Sequence, residues 1–185
     1  MSNNDELTYL EDQLIYSGKS IDLKLVTYKD PKDITRSWEF FMRKPEEDNK
    51  ITQIIGLTNN SSVVLLTKHQ PIHNKPIVQF PLTKGNEIDI IEFFKKETGL
   101  TGTSPTLKSK CAYLPCLTKS TLFTYTLNVN LDDQVNKQSM LNNVSIWPLG
   151  SLFEKIEENR KNGSLVDASV EIWSIGLQFS SQFNK

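Results

Sequence analysis

Two neighbouring stretches, Ile51 to Thr58 and Ser62 to Lys68, are almost unbroken apolar and β-branched sequence joined by Asn59-Asn60-Ser61. Strands rich in such residues without a polar alternation must be buried on both faces, because successive side chains point to opposite sides of a sheet. A chain containing this pair therefore needs covering layers on both sides of a sheet, which excludes an extended or all-helical solution. With 185 residues, of which 37% are hydrophobic and 23% charged, there is enough material for such a core.

The flanking sequence supplies further strands and the layers. Residues 20–28 alternate, with Ile21, Leu23 and Leu25 against Asp22 and Lys24. Asp30-Pro31-Lys32-Asp33 reads as a turn, and a second alternating run follows from Ile34 to Met42, so the two predict an N-terminal hairpin. Pro76 to Phe80 is another short strand. The period then changes: Glu87 to Thr98 places Ile90, Ile91 and Phe94 on one helical face and stops at Gly99, a residue suited to the left-handed C-terminal cap. Strands are predicted again over Leu107 to Leu114, Thr121 to Val129 and Val144 to Trp147, with a polar, mobile loop from Asn130 to Ser139. Ser151 with Glu154 matches a capping box opening a helix that ends near Gly163, and Asp167 caps a last helix carrying Val170, Trp173 and Leu177. This order argues for an α+β or mixed-sheet sandwich.

Charge and composition limit the function classes. A net charge of −1 offers no general attraction to nucleic acid or to an anionic membrane, and no basic patch with interleaved aromatics occurs. No run approaches the roughly 20 apolar residues that span a bilayer. The polar, acidic start from Met1 to Glu6 lacks the order of a secretory signal, which predicts a cytoplasmic or nuclear location. Cys111 and Cys116 are too few for a disulfide scaffold and read as semi-buried thiols in a reducing compartment. His69 and His73 have the spacing of a zinc helix, but Pro71 between them breaks such a helix, so no metal is assigned to them.

One constellation carries a resemblance. Phe80-Pro81 followed by Glu92-Phe93-Phe94-Lys95-Lys96-Glu97-Thr98-Gly99-Leu100 resembles the Nudix box, whose core reads R-E-U-x-E-E-x-G-U with U aliphatic. Thr27-Tyr28-Lys29-Asp30-Pro31 with Thr35-Arg36-Ser37-Trp38-Glu39 is similar to the N-terminal hairpin of ADP-sugar pyrophosphatases of that superfamily. Val166-Asp167-Ala168-Ser169-Val170 is similar to the opening of their last helix, so the likeness runs in order from about residue 14 to residue 178. The resemblance implies a Nudix fold: a mixed β-sheet between helices, with an N-terminal antiparallel hairpin or sheet used for dimerisation. It divides the chain into residues 1–44, tail and dimerisation hairpin, and residues 45–185, the Nudix-like domain.

In the resembled family the box glutamates converge on one helical face, hold Mg²⁺, and so polarise a diphosphate and activate water. Here the three positions are Phe93, Lys96 and Glu97. Phe93 offers no oxygen and Lys96 brings a cation to where a dication would sit, leaving Glu97 as the sole remnant. Glu92 replaces the bracing arginine, Thr83 stands at the first box glycine, and the connection before Gly99 is shorter than the family pattern. Leu141-Asn142-Asn143, which matches the loop of the catalytic acid, has none; Asp132 and Asp133 nearby read as a solvated loop pair. These departures predict a pseudoenzyme with no catalytic residue, no metal and no cofactor.

The nucleotide pocket is half kept. Trp38, Glu39 and Arg43 match family positions around adenosine diphosphate ribose (ADP-ribose), while Ser20 and Gln70 replace a stacking tryptophan and a phosphate-contacting arginine. Each lost stack or charged contact is worth on the order of 1 kcal/mol, which leaves room for weak ADP-ribose binding. The leading expectation is a protein-interaction or scaffold module, a homodimer through the N-terminal hairpin, with Phe93 and Lys96 as candidate interaction residues on the altered helix. A non-hydrolysing ADP-ribose sensor and a residual Mg-dependent ADP-sugar pyrophosphatase are the alternatives.

Overall fold

The structure, a computed structural model, describes residues 7–44, 49–85 and 89–183. By contact, the chain forms two compact units: residues 1–51, 84–86 and 110–123 make the first, and residues 52–83, 87–109 and 124–185 the second.

The first unit is built on an antiparallel sheet of three strands in the order β1 (Thr8–Ser17), β2 (Ile21–Lys29) and β3 (Thr35–Arg43). The turn between β2 and β3 forms as its sequence dictates. Asp30 accepts the backbone N–H groups of Lys32 and Ile34 at 2.9 and 3.0 Å, and Arg36 Nε donates to it at 2.8 Å. These donors, Arg36 foremost, hold the Asp30 carboxyl below its ordinary value. The β2–β3 register runs without a break from Ile21 opposite Arg43 to Lys29 opposite Thr35. The predicted hairpin is present and is joined by a third strand, β1, that its sequence does not announce. Its register slips between Tyr9 and Glu11 and again between Leu14 and Tyr16, so the alternation never runs long enough to be read. Residues 113–120 return on themselves, with Tyr113 N–H donating to the Ser120 carbonyl at 2.9 Å. They meet the outer edge of β3, where Phe41 N–H donates to the Leu117 carbonyl at 2.7 Å.

The main sheet has eight strands, most of them in the second unit. The path is β11 (Leu165–Val166), β6 (Lys75–Gln79), β5 (Ser62–Gln70), β4 (Lys50–Thr58), β9 (Thr121–Val129) and β8 (Gly102–Ala112). In addition, β10 (Val144–Pro148) pairs β5 and β7 (Leu82–Lys84) pairs β4. The sheet is mixed, because β5 is antiparallel to β4, β6 and β10 whereas β11 runs parallel to β6.

The unbroken apolar run of β5 now has its explanation. Val63 and Leu65 enter one core cluster, with Phe80, Trp147, Leu152, Ile156 and Val170. Val64 and Leu66 enter another, with Ile54, Phe94, Leu100 and Leu127. Alternate residues of one strand thus feed two cores on opposite faces. Helices α3 (Leu152–Lys161) and α4 (Ala168–Phe183) supply the first layer, and α1 (Ile90–Thr98) supplies the second. Each fully buried Leu, Ile or Phe contributes roughly 1.5–3 kcal/mol of transfer free energy, so these clusters dominate the unit's stability.

Three sequence expectations change. The loop from Asn130 to Ser139 contains a short helix, α2 (Gln134–Ser139), capped by Asp133, whose carboxylate accepts Val135 N–H at 2.9 Å. Ser151 stands at the N-cap of α3 but makes no capping bond. A 3-10 turn over Leu149–Ser151 leaves it at φ −127°, ψ 22°, outside the extended conformation that aims a cap hydroxyl at the helix. Helix α1 begins at Ile90 after the Asp89 cap; Glu87 and Ile88, expected in its first turn, lie outside the described residues, as do Pro45 to Asp48 of the charged loop. Asp167 does cap α4, accepting Ser169 N–H at 2.9 Å. Among the described residues, no helix is long and apolar enough to cross a membrane.

Candidate functional site

Helix α1 forms because Asp89 accepts the N–H groups of Ile91 and Glu92 at 2.9 and 3.0 Å, and it stops because Gly99 takes φ 75°. Its inner face is held by Phe94, which is fully buried and leaves no room at Gly56 on β4. A Cβ there would lie 2.6 Å from the Phe94 ring. Thr98, also fully buried, donates its hydroxyl to the Phe94 carbonyl at 2.7 Å. Gly99 is pinned from outside as well, since a Cβ on it would come within 1.8 Å of the Ser139 carbonyl oxygen.

The second surrounding element is α2, where the sequence predicts a mobile loop. Its Asn136 is 3% exposed and satisfies three partners. It accepts Thr101 N–H at 2.7 Å and donates to the Thr101 and Asn130 carbonyls at 3.2 and 2.8 Å. A buried amide with its bonds made is a rigidifying device. An asparagine between Val135 and Lys137 in a short, largely polar segment gives no sequence signal for this.

The three box positions lie on different surroundings. Phe93 is half-buried and packs against the cluster of Phe94 and Leu127. Lys96 is exposed beside exposed Lys95 and Glu92. Glu97 is mostly covered, its side chain 20% exposed, and its carboxylate is in an ion pair with Lys68 Nζ from β5. A pair separated by 29 positions in sequence leaves no local signature. Of the nearby acids, Asp132 accepts from Asn59 Nδ2 at 2.8 Å and Asp133 caps α2, so both have structural partners. The residues at the box do not fit a divalent cation, which needs several oxygen ligands. One carboxylate is present at the three positions, and an ammonium already neutralises it. Among the described residues no group of three or more His, Cys, Asp and Glu is placed to hold a metal.

The other predicted site residues lie in the first unit. Trp38 is 48% exposed, and its indole N–H donates to the Cys116 carbonyl at 2.9 Å. With Tyr9, Tyr28, Val26 and Pro115 it lines an open, mainly apolar groove of about 460 Å³. Glu39 is exposed, and Arg43 is half-buried with its Nε unpartnered among the described residues. Because β3 is regular, Glu39 and Arg43 share one face and Trp38 lies on the other, beside Phe40 and Met42. A single copy therefore does not gather the three around one point. Ser20 lies in the β1–β2 turn with its carbonyl bonded to Lys44 N–H, and Gln70 ends β5 opposite Lys75. Cys111 and Cys116 are both exposed, although the sequence predicts semi-buried thiols. Their neighbours explain the difference, since residues 111–117 belong to the edge strand β8 and the surface turn after it.

No family model matches the chain. Among solved structures, the crystal structure of an ADP compounds hydrolase is similar in fold, with a TM-score of 0.62 and 14% sequence identity over 82% of this chain and 83% of that one. The likeness is one of fold. It agrees with the architecture built above, a mixed sheet between helices with an antiparallel N-terminal sheet, which is the Nudix fold that the sequence resemblance implied.

Proposed function

We propose that this protein is a catalytically inactive Nudix-like module that serves as a protein-interaction or scaffold element. The observation that carries the reading is the Lys68–Glu97 ion pair. The one carboxylate left at the three box positions is neutralised by an ammonium from the adjoining strand, so a dication meets repulsion rather than a ligand set. Phe93, at a second box position, is turned toward apolar packing, and Lys96, at the third, adds positive charge at the surface. On this reading the exposed face of α1, with Glu92, Lys95 and Lys96, is the surface left for a partner protein, and the edge of the Phe93 ring borders it.

Isothermal titration calorimetry with ADP-ribose, with and without Mg²⁺, combined with a turnover assay, tests the reading. No heat and no turnover is the expected outcome, and Mg²⁺-dependent release of products overturns it. A second reading, a non-hydrolysing ADP-ribose sensor, is favoured by the half-exposed aromatic groove at Trp38, Tyr9 and Tyr28. It requires metal-independent binding that Trp38→Ala abolishes.

The dimer belongs to the same proposal. Cross-strand pairing puts Ile21, Leu23, Leu25, Phe41 and Tyr16 on one face of the N-terminal sheet, with Tyr16 66% exposed and Ile21 and Phe41 each 41% exposed. Glu39, opposite Leu25, and Arg43, opposite Ile21, lie on the same face, so it is a mixed apolar and charged surface of the kind that suits a self-complementary contact with a second copy. Sedimentation at micromolar concentration showing only monomer would count against it.

A further inference from the structure

The charged side chains of the three-stranded sheet divide by face. Successive residues of a strand point to opposite sides, and the side that carries Phe40 and Met42 is buried there. On the other, open side the register sets Phe41, Leu23 and Tyr16 in one row. Arg43 with Ile21 flanks that row on one side, and Glu39 with Leu25 and Gln13 flanks it on the other. Among the charged residues of the strands, Asp12, Asp22, Lys24, Lys29 and Arg36 all form ion pairs within the chain. Among the described residues Glu11, Glu39 and Arg43 form none. All three stand on the open side, Glu11 opposite Thr27 and so one row beyond Leu25.

The order of these rows is complementary to itself. Glu39 and Arg43 lie two residues either side of Phe41 on a strand whose register is unbroken, so opposite charges stand at equal distances from one apolar row. In a two-fold contact, residue i meets j wherever j meets i. Stacked sheets keep their strands nearly aligned, about 10 Å apart. An axis along the row of Phe41, Leu23 and Tyr16 lays each strand antiparallel over its own copy. That row meets itself, Ile21 meets Leu25 of the second copy, and Arg43 meets Glu39 of the second copy. Neighbouring registers are worse. An axis moved by half a row sets Glu39 or Arg43 against Phe41, and one moved by a whole row sets it against itself.

We propose that the open face docks a second copy of the chain in that register, with reciprocal Arg43–Glu39 pairs closing the two ends of an apolar seam of Phe41, Leu23 and Tyr16. The contact rests on the homodimer proposed for the N-terminal sheet and assigns its symmetry axis and the residues that select it. The apolar rows supply the attraction, because Tyr16, Ile21 and Phe41 leave water. The charges select the register, because every shift of a whole row brings like charges together. Glu11, two rows from the axis, stays at the rim, where a charge keeps its water.

Sedimentation of the full chain at low salt, over a range of concentrations, tests the contact. Glu39→Arg and Arg43→Glu, each alone, set like charges against each other at both pairs. Each is expected to raise the dimer dissociation constant about ten-fold or more. Mixing the two variants in equal amounts sets arginines on one copy against glutamates on the other. The mixture is expected to associate within about three-fold of the unaltered chain. If the unaltered chain dimerises and both single variants dimerise as well as it does, the contact is overturned and the dimer reading stands. A mixture that stays as weak as its two components also overturns the contact. An unaltered chain that is monomeric at every concentration overturns the dimer reading and the contact together. Glu39 is exposed, so Glu39→Arg keeps the fold on its own, and added salt should recover part of its lost association. The answer therefore does not depend on Arg43→Glu folding.

Discussion

The strands at the centre of the main sheet and those of the N-terminal sheet are both rich in apolar residues, yet they dispose of them differently. In β4 and β5 both parities are apolar, and both faces are covered: Val63 to Leu66 are all fully buried, split between two cores. In β1 to β3 most apolar side chains stay in reach of water, among them Leu14, Tyr16, Ile21, Trp38 and Phe41. The difference shows where each region's specificity comes from. The second unit is fixed by packing, in which a methylene matters. The first unit is fixed by backbone pairing and by polar clamps, such as Asp30 with Arg36 and Lys44 with Asp22 at 2.6 Å. Its apolar side chains stay largely exposed.

The sharpest way to break this contrast is at Phe94. Phe94→Ala should destabilise the protein by about 3–5 kcal/mol in urea unfolding, since the ring is fully buried against Gly56 and the α1 end. A loss under about 1 kcal/mol would mean that the α1 layer is not the core it is taken for. Phe93→Asp comes next, at about 1–3 kcal/mol, because half of the ring is inside and a charge would replace it. If the stability is unchanged while a partner is lost in a pull-down, Phe93 acts by docking and its packing is incidental.

Lys68→Met should cost less, about 0.5–1 kcal/mol, since both members of the ion pair retain some contact with water. Mg²⁺ affinity measured on that variant sharpens the comparison: none is expected to appear, because one carboxylate without its ammonium is still a single ligand. The smallest effect is expected at Asp30. Its folded-state pKa lies below the ordinary 3.8, so its contribution is complete above that value and is lost as pH falls through the lower folded value. Asp30→Asn should therefore flatten the acid limb of a stability–pH profile below about pH 4 and leave the profile near neutrality with the same slope. An unchanged acid limb would show that the Arg36 clamp is inconsequential.

The parts of the fold that were legible are those with a sustained period. The β4–β5 hairpin, the β2–β3 hairpin and α1 with its Gly99 stop all follow from spacing alone. Strand β1 was not legible, because two register shifts leave only Glu11 to Leu14 in unbroken register between them. Helix α2 was hidden for another reason. Six largely polar residues are too short to be helical by propensity, and the element exists because Asn136 is tied to Thr101 and Asn130 across the loop. At the candidate site, Phe93 and Lys96 could be read directly as departures from the carboxylates that the resemblance implies. The partner of Glu97 could not, because Lys68 reaches it from another strand.

The end of the box, Gly99-Leu100, has a bearing on how such chains are detected. Gly99 is required by a positive φ and by the Ser139 carbonyl that crowds it, and Leu100 is fully buried. Neither requirement involves a phosphate or a metal. A pattern match that succeeds on these two letters therefore registers a folding constraint.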